Sequence, residues 1–145
     1  MRVTITLRQL FVITIVLLGA AQFVPVDLVN PPAGGPLAAP RPVEDVLRRA
    51  CFDCHSHESR IPWYGKVAPV SWLVAHDIKE ARAELNFSTW NQLGLREQEE
   101  AQRKIWQAVK QSEMPPPFYV LVHPEGRLTT DDHRLLRTWA GISEE

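Results

Sequence analysis

Cysteine and methionine are scarce in this sequence. Two cysteines occur in 145 residues, and one methionine follows the initiator. A structural zinc site needs a second cysteine pair or a histidine pair at a defined spacing, and the sequence offers neither. Basic runs and base-stacking motifs are also missing, and 16 Lys and Arg stand against 17 Asp and Glu. We therefore expect no nucleic-acid partner.

Long alternating runs of apolar and polar residues, the pattern of half-buried strands, are missing as well. Apolar residues recur instead at helical spacing, which predicts helices over about 42–50, 70–85, 96–111 and 130–142. Prolines after Met114 exclude a helix at that point. The apolar run 118–122 is too short to assign to a strand or a buried loop. The predicted fold class is all-α.

Both cysteines belong to one pentapeptide, Cys51-Phe52-Asp53-Cys54-His55. This is the C-x-x-C-H pattern of c-type haem attachment. Two thiols on one turn can form thioethers with the two vinyl groups of a porphyrin, and the following imidazole can bind the iron. The pattern predicts haem c, attached through Cys51 and Cys54 with His55 as proximal ligand. A redox dithiol usually lies beside a βαβ pattern, and this sequence has no such pattern. A disulfide between two cysteines so close in sequence would be strained.

The N-terminal segment has the pattern of an export signal. Arg2 and Arg8 precede an apolar run that begins at Leu10 and extends to Val26. Such a run predicts either a cleaved signal peptide, with small residues at 19–21 as the cleavage site, or an uncleaved membrane anchor. Apolar residues beyond 21 favour the anchor. We expect the domain on the periplasmic side of the bacterial inner membrane, or soluble in the periplasm if the signal is cleaved.

Composition divides the chain into three parts. Residues 1–29 form the signal or membrane-anchor segment, and 43–145 form the haem-binding domain. Between them, 30–42 is rich in proline, which removes amide donors and favours an extended conformation. We expect this stretch to act as a tether.

The order of motifs resembles a known family. A haem motif after the first helix, a Met-Pro loop and a terminal amphipathic helix resemble the class I cytochrome c fold, in which the first and last helices pack beside the haem. A closer resemblance is to the small, membrane-tethered haem-binding domain proteins of the cytochrome c superfamily. The segments that carry it are 51–56, 62–64, 67–74, 85–90, Met114-Pro-Pro and 123–128.

This resemblance implies further roles in the site. Met114, in its Met-Pro loop, is expected to be the sixth iron ligand, with His76 and His123 as rivals. Pro69 is expected to accept a hydrogen bond from His55 Nδ1. Apart from the resemblance, Trp63 is a candidate donor to a haem propionate, because a buried propionate needs donors.

These expectations favour a carrier over an enzyme. A haem with His and Met ligands transfers one electron without an open substrate site. The redox partners are not identified by the sequence. A haem-based sensor and a peroxidase-like enzyme with a labile sixth ligand remain the alternatives.

Overall fold

The computed structural model describes residues 6–143, and all regular secondary structure within them is helical. This confirms the all-α prediction. The helices are α1 (Leu7–Ala21), α2 (Arg41–Ala50), α3 (Phe52–His55), α4 (Val70–Glu84), α5 (Leu95–Lys110), α6 (Pro117–Val122) and α7 (Thr130–Trp139). Short 3-10 turns lie at Trp63–Lys66, Phe87–Gln92 and Pro124–Gly126.

The chain divides into two compact units. The first contains the residues up to Val29 together with Ile61–Asp77, and the second contains Asn30–Arg60 together with the residues from Ile78 onward. Helix α4 begins in the first unit and ends in the second, so its C-terminal turn is a feature of the second unit.

In the first unit, α1 begins with a capping box. The Thr6 hydroxyl accepts from Gln9 N, and the Gln9 side chain accepts from Thr6 N. Beyond the end of α1, Gln22 makes two hydrogen bonds with the Ala68 backbone, of 3.0 and 3.1 Å. Among the described residues, none of the helices combines the length and apolar character needed to cross a bilayer. Arg2, one of the two basic residues of the predicted signal, lies outside the described residues.

The second unit is built around a core between its first and last long helices. Helix α2 packs against α7, and α7 also packs against α5. The buried apolar residues of this core are Leu37, Val43, Val46, Leu47, Phe52, Phe87, Trp90, Ile105, Val109 and Leu136. The predicted packing of the first and last helices of the domain is therefore present. The finer assignment to the cytochrome c fold stays a prediction.

Capping and charge explain where these helices begin and end. Helix α2 has a proline in its first turn, Glu44 near its positive end, and Arg48 and Arg49 in its last turn. Helix α7 begins at a capping box between Thr129 and Asp132. The predicted boundaries of α2, α4 and α5 agree with the structure to within one residue or two. Helix α7 ends at Trp139, somewhat earlier than expected.

The proline-rich stretch predicted as a tether lies against the second unit. Asn30 exchanges two hydrogen bonds with the Ser59 backbone, and the Pro36 carbonyl accepts from Asn91. Leu37 is 6% exposed and belongs to the core. A Cβ at Gly34 would lie 1.6 Å from the Ser88 carbonyl oxygen, so only glycine permits this close approach. Over these residues the extended chain is part of the packed unit.

An ion pair connects α2 to the start of α7. The Asp132 carboxylate accepts from Arg49 at 2.8 Å and from the backbone and hydroxyl of Thr129 at 2.7 and 2.9 Å. The same arginine donates to the carbonyls of Glu125 and Arg127. Burial alone would raise the pKa of Asp132. The Thr129 amide and the Arg49 guanidinium outweigh burial, so the pKa lies below its usual value.

We expect Asp132→Asn to lower the free energy of unfolding by about 1–2 kcal/mol at neutral pH, because a helix cap and a charge-assisted bond are weakened. A depressed carboxyl pKa stabilises the fold above the unfolded pKa of about 3.9, and this contribution is lost as pH falls through the folded pKa. The difference in unfolding free energy between parent and variant should therefore shrink below about pH 4. Denaturant titrations at several pH values measure it.

Asp131→Asn is the matched control. Asp131 is the neighbouring aspartate on the same helix turn, but its side chain is 79% exposed and pairs with exposed Arg134. We expect the free energy of unfolding at neutral pH to change by about 0.5 kcal/mol or less. Equal effects of the two substitutions at every pH would contradict the role assigned to Asp132.

Candidate functional site

The C-x-x-C-H pentapeptide forms a tight turn directly after α2. Cys51 ends α2 and precedes α3, and its carbonyl accepts from Cys54 N at 3.2 Å and from His55 N at 2.9 Å. These bonds give the segment one helical turn, so residues three apart lie on one side. Both cysteines are thiols and are partly buried. The sequence therefore places two thiols on one face of a turn that ends in a histidine.

The His55 imidazole is held through one nitrogen. Nδ1 lies 3.0 Å from the Ala81 carbonyl oxygen and 3.1 Å from that of Leu85. Carbonyls accept only, so Nδ1 carries the proton and Nε2 has the lone pair. Burial lowers the pKa of His55, although the two carbonyl bonds act in the opposite direction. The ring is therefore set as a neutral imidazole with Nε2 available to a metal.

These partners differ from the predicted one. The sequence suggested the Pro69 carbonyl for the Nδ1 bond, but the structure supplies Ala81 and Leu85. The Ala81 carbonyl also accepts from Leu85 N at 2.9 Å, and because a carbonyl oxygen has two lone pairs it can accept from the imidazole as well. Pro69 lies in the first unit, just before α4, where its carbonyl accepts from Trp72 N at 3.1 Å.

Aromatic rings pack beside the proximal histidine. Phe87 is 2% exposed and meets the His55 ring edge-on, with centroids 6.5 Å apart. Phe52, inside the pentapeptide, stacks on Phe87 at 5.1 Å. These rings keep water away from one side of the imidazole and fix its orientation. Phe87 belonged to the segments carrying the family resemblance, whereas its contact with His55 depends on the fold.

The cysteine chemistry does not match that of a redox dithiol. Burial raises the pKa of Cys51 to about 12, and the neighbouring Cys54 adds to the rise. Thiols that exchange disulfides have pKa values lowered toward neutrality, because the thiolate is the nucleophile. Cys51 is therefore a protonated thiol at neutral pH.

Met114 lies in the turn that follows α5. Its backbone N donates to the Ala108 carbonyl at 3.3 Å, and its side chain is 39% exposed. The next helix, α6, presents an apolar face of Phe118, Leu121 and Val122, which are 65%, 80% and 58% exposed. Met114 thus precedes an exposed apolar surface in the same unit as the pentapeptide. Its ligation of iron stays a prediction.

The other candidates are spread over both units. Trp63 is 78% exposed in the first unit, edge-on to Tyr64 at 5.9 Å. His76 is exposed on α4, also in the first unit. His123 lies in the second unit, where its ring stacks on Tyr119 at 4.5 Å and Nδ1 is 3.4 Å from a Glu125 oxygen. The pentapeptide, Met114 and His123 therefore share one unit.

Sequence reasoning missed a group of residues around Asp53. Its carboxylate accepts from Tyr119 Oη at 2.9 Å and from the Arg60 side chain at 3.0 and 3.2 Å. The position of Asp53 between the two cysteines was the available signal. Nothing in the sequence indicated that a tyrosine 66 residues later would reach it.

Comparison with known proteins identifies the family. The model of the haem-binding domain family matches residues 16–141, which is most of the chain. The comparisons with curated proteins and with solved structures return no match. The match includes the pentapeptide, the α4 carbonyls that hold His55, and Met114. The chain belongs to the haem-binding domain family.

Proposed function

We propose that this protein binds haem covalently as a c-type cytochrome and carries single electrons outside the cytoplasm. The observation that supports it most is the setting of His55. Its Nδ1 is engaged by the Ala81 and Leu85 carbonyls, and its Nε2 is left for iron at the end of the turn that carries both thiols. Family membership supports haem as the cofactor.

The residues fit a haem by their chemistry. A neutral imidazole is the usual proximal donor, and a hydrogen bond to its far nitrogen fixes the tautomer and strengthens the donor. Buried Phe52 and Phe87 supply apolar packing beside it, and the α6 face supplies exposed apolar area. Two thiols precede the histidine at the attachment spacing. These features match an apolar macrocycle with an iron centre.

Attachment would use both thiols in the same way. The Cys51 and Cys54 sulfur atoms would each bond to one vinyl carbon, and each thiol proton would go to the other carbon of that vinyl group. The addition would consume no oxidant or reductant, so the thiols and the vinyl groups would be its only reactants. It requires both cysteines reduced, and both are thiols in the structure.

Bound haem would supply a one-electron Fe(III)/Fe(II) couple. The chain's own residues would hold that couple in place. The end of α4 orients His55, and Phe87 restricts its ring. Met114 would complete the ligand set with a soft, neutral sulfur that favours the reduced state. Because His55 and Met114 would both be bound to the iron, we propose a carrier and not an enzyme.

We also propose that the carrier is exported and held at the membrane. The support is the sequence of the N-terminal segment, in which Arg8 is followed by an apolar run. Haem is attached to such proteins outside the bacterial cytoplasm. Electron-transfer contacts are small and transient, so redox partners can bind without a large interface.

Carbon monoxide and peroxide test this function against its rivals. The full chain, matured with haem in the periplasm, is reduced and mixed with carbon monoxide. A carrier whose iron would be held by both His55 and Met114 should bind carbon monoxide slowly and incompletely, and should show negligible peroxide turnover. Rapid binding by the unmodified protein would favour a sensor, and sustained peroxide turnover would favour an enzyme.

Met114→Ala tests the sixth ligand. We expect the far-red sulfur-to-iron charge-transfer band of the oxidised parent to disappear, since no sulfur remains on iron. The reduced variant should bind carbon monoxide rapidly and almost completely, and its reduction potential should fall. His123→Ala and His76→Ala are the matched controls and should keep the band. A parent without the band, or a band that survives in Met114→Ala, would exclude this ligand.

A further inference from the structure

The carboxylate of Asp53 joins two parts of the second unit that the proposed carrier needs. It accepts from the Arg60 backbone N at 3.2 Å, from the Arg60 guanidinium at 3.0 and 3.2 Å, and from Tyr119 Oη at 2.9 Å. The Asp53 side chain is 13% exposed, whereas that of Arg60 is 66% exposed. The tyrosine bond is therefore the better shielded of the contacts.

Tyr119 is fixed on the other sides of its ring. The ring stacks on His123, with centroids 4.5 Å apart and planes at 21°. A Cβ at Gly126 would lie 2.8 Å from Tyr119 Cε1, so the ring edge occupies space that only glycine leaves. Burial raises the pKa of Tyr119, and the negative charge of Asp53 adds to the rise. The hydroxyl therefore stays protonated and donates.

Tyr119 lies on α6, five residues after Met114. Tyr119 is partly buried on α6, whereas the apolar residues Phe118, Leu121 and Val122 of the same helix are exposed. Helix α6 has only six residues, too few to hold its position by itself. Its place against the attachment turn thus depends on side-chain contacts, and the Asp53–Tyr119 bond joins the two segments directly.

We propose that Asp53 and Tyr119 are positioning residues that hold α6, and with it the Met114 loop, against the haem-attachment turn. The role toward Met114 rests on the proposed function, whereas the docking of α6 does not. Asp53 would thus act between the two cysteines without contacting the iron. Removing the Tyr119 hydroxyl would free the loop while leaving both thiols, His55 and the ring of residue 119 in place.

The test compares Tyr119→Phe with the parent, both as full chains loaded with haem. We expect the backbone amides of α6 to exchange hydrogen about tenfold faster in the variant, because it loses the hydrogen bond from the Tyr119 hydroxyl to a charged acceptor. Carbon monoxide binding to the reduced protein should also be about tenfold faster, because the rate is limited by how readily the Met114 loop moves away. Glu58→Gln removes an exposed carboxylate from the same unit and should change neither rate.

A double-mutant cycle shows whether the two residues act as a pair. In an Asp53→Ala background, Tyr119→Phe should have no further effect on either rate. Asp53→Asn, which retains an acceptor oxygen, should restore part of the slow exchange. Unchanged α6 exchange in Tyr119→Phe, or full additivity in the cycle, overturns the proposal.

Two further outcomes separate this inference from the proposed function. Faster exchange with unchanged carbon monoxide binding would make Tyr119 a structural residue, and the positioning role would fall. A parent without covalent haem would refute the proposed function, while hydrogen exchange would still report whether Asp53 and Tyr119 dock α6.

Discussion

Replacing Cys51 and Cys54 together with alanine is expected to abolish covalent haem attachment. The two thiols lie on one turn, and no other cysteine exists in the chain to replace them. The intact mass of the exported variant should lack the haem increment. A pyridine haemochrome assay on the washed, denatured protein should detect no haem. Each single substitution should retain a smaller attached fraction, because one thioether can still form.

Met114→Ala is the control for this loss. It changes a predicted ligand to the same iron, but it leaves both thiols and His55 in place. We therefore expect it to keep the full mass increment while its spectrum changes. If the double cysteine variant still carries the increment after denaturation, the attachment sites are elsewhere and the c-type proposal fails. If the parent lacks it, covalent attachment fails at the outset.

The helices of the second unit were readable from the sequence because their signals are local. Pro42 and Glu44 mark the start of α2, and a capping box marks the start of α7. The sequence does not predict α6, because six residues are too few to show a period. In the structure, Pro117 takes its first position, where a missing amide donor costs nothing.

The site was readable only where side-chain identity carries the chemistry. Cys51, Cys54 and His55 belong to a pattern with few alternatives. The acceptors of His55 are backbone carbonyls, which every residue has, so Ala81 and Leu85 had no sequence signal. Which carbonyls reach the ring depends on where α4 ends relative to the pentapeptide, and that is set by tertiary packing.

The proline-rich stretch shows the same limit. Its composition predicted an extended chain, and its contacts with the second unit came from residues that the composition does not single out. Leu37 enters the core, and Gly34 allows close approach to Ser88. Proline density determines the conformation of a segment, whereas its partners depend on individual side chains.

Trp90→Ala is expected to cost about 3–5 kcal/mol of unfolding free energy. Trp90 is fully buried, and its ring centroid lies 6.0 Å from that of Phe87 and 5.7 Å from that of Trp139. Removing the indole leaves a cavity in the middle of this aromatic row. Because Phe87 also packs on His55, the cavity should loosen the proximal side of the site. Denaturant titration of parent and variant in the same haem state measures the loss.

Trp90→Phe separates packing from hydrogen bonding. Within the described residues, the buried indole N–H of Trp90 has no acceptor. An unsatisfied buried donor costs about 1–3 kcal/mol, so phenylalanine removes that penalty while it loses some packing volume. We expect these effects to offset, leaving Trp90→Phe within about 1 kcal/mol of the parent. A loss as large as that of Trp90→Ala would show that the indole itself, and not an aromatic ring in general, is required beside Phe87.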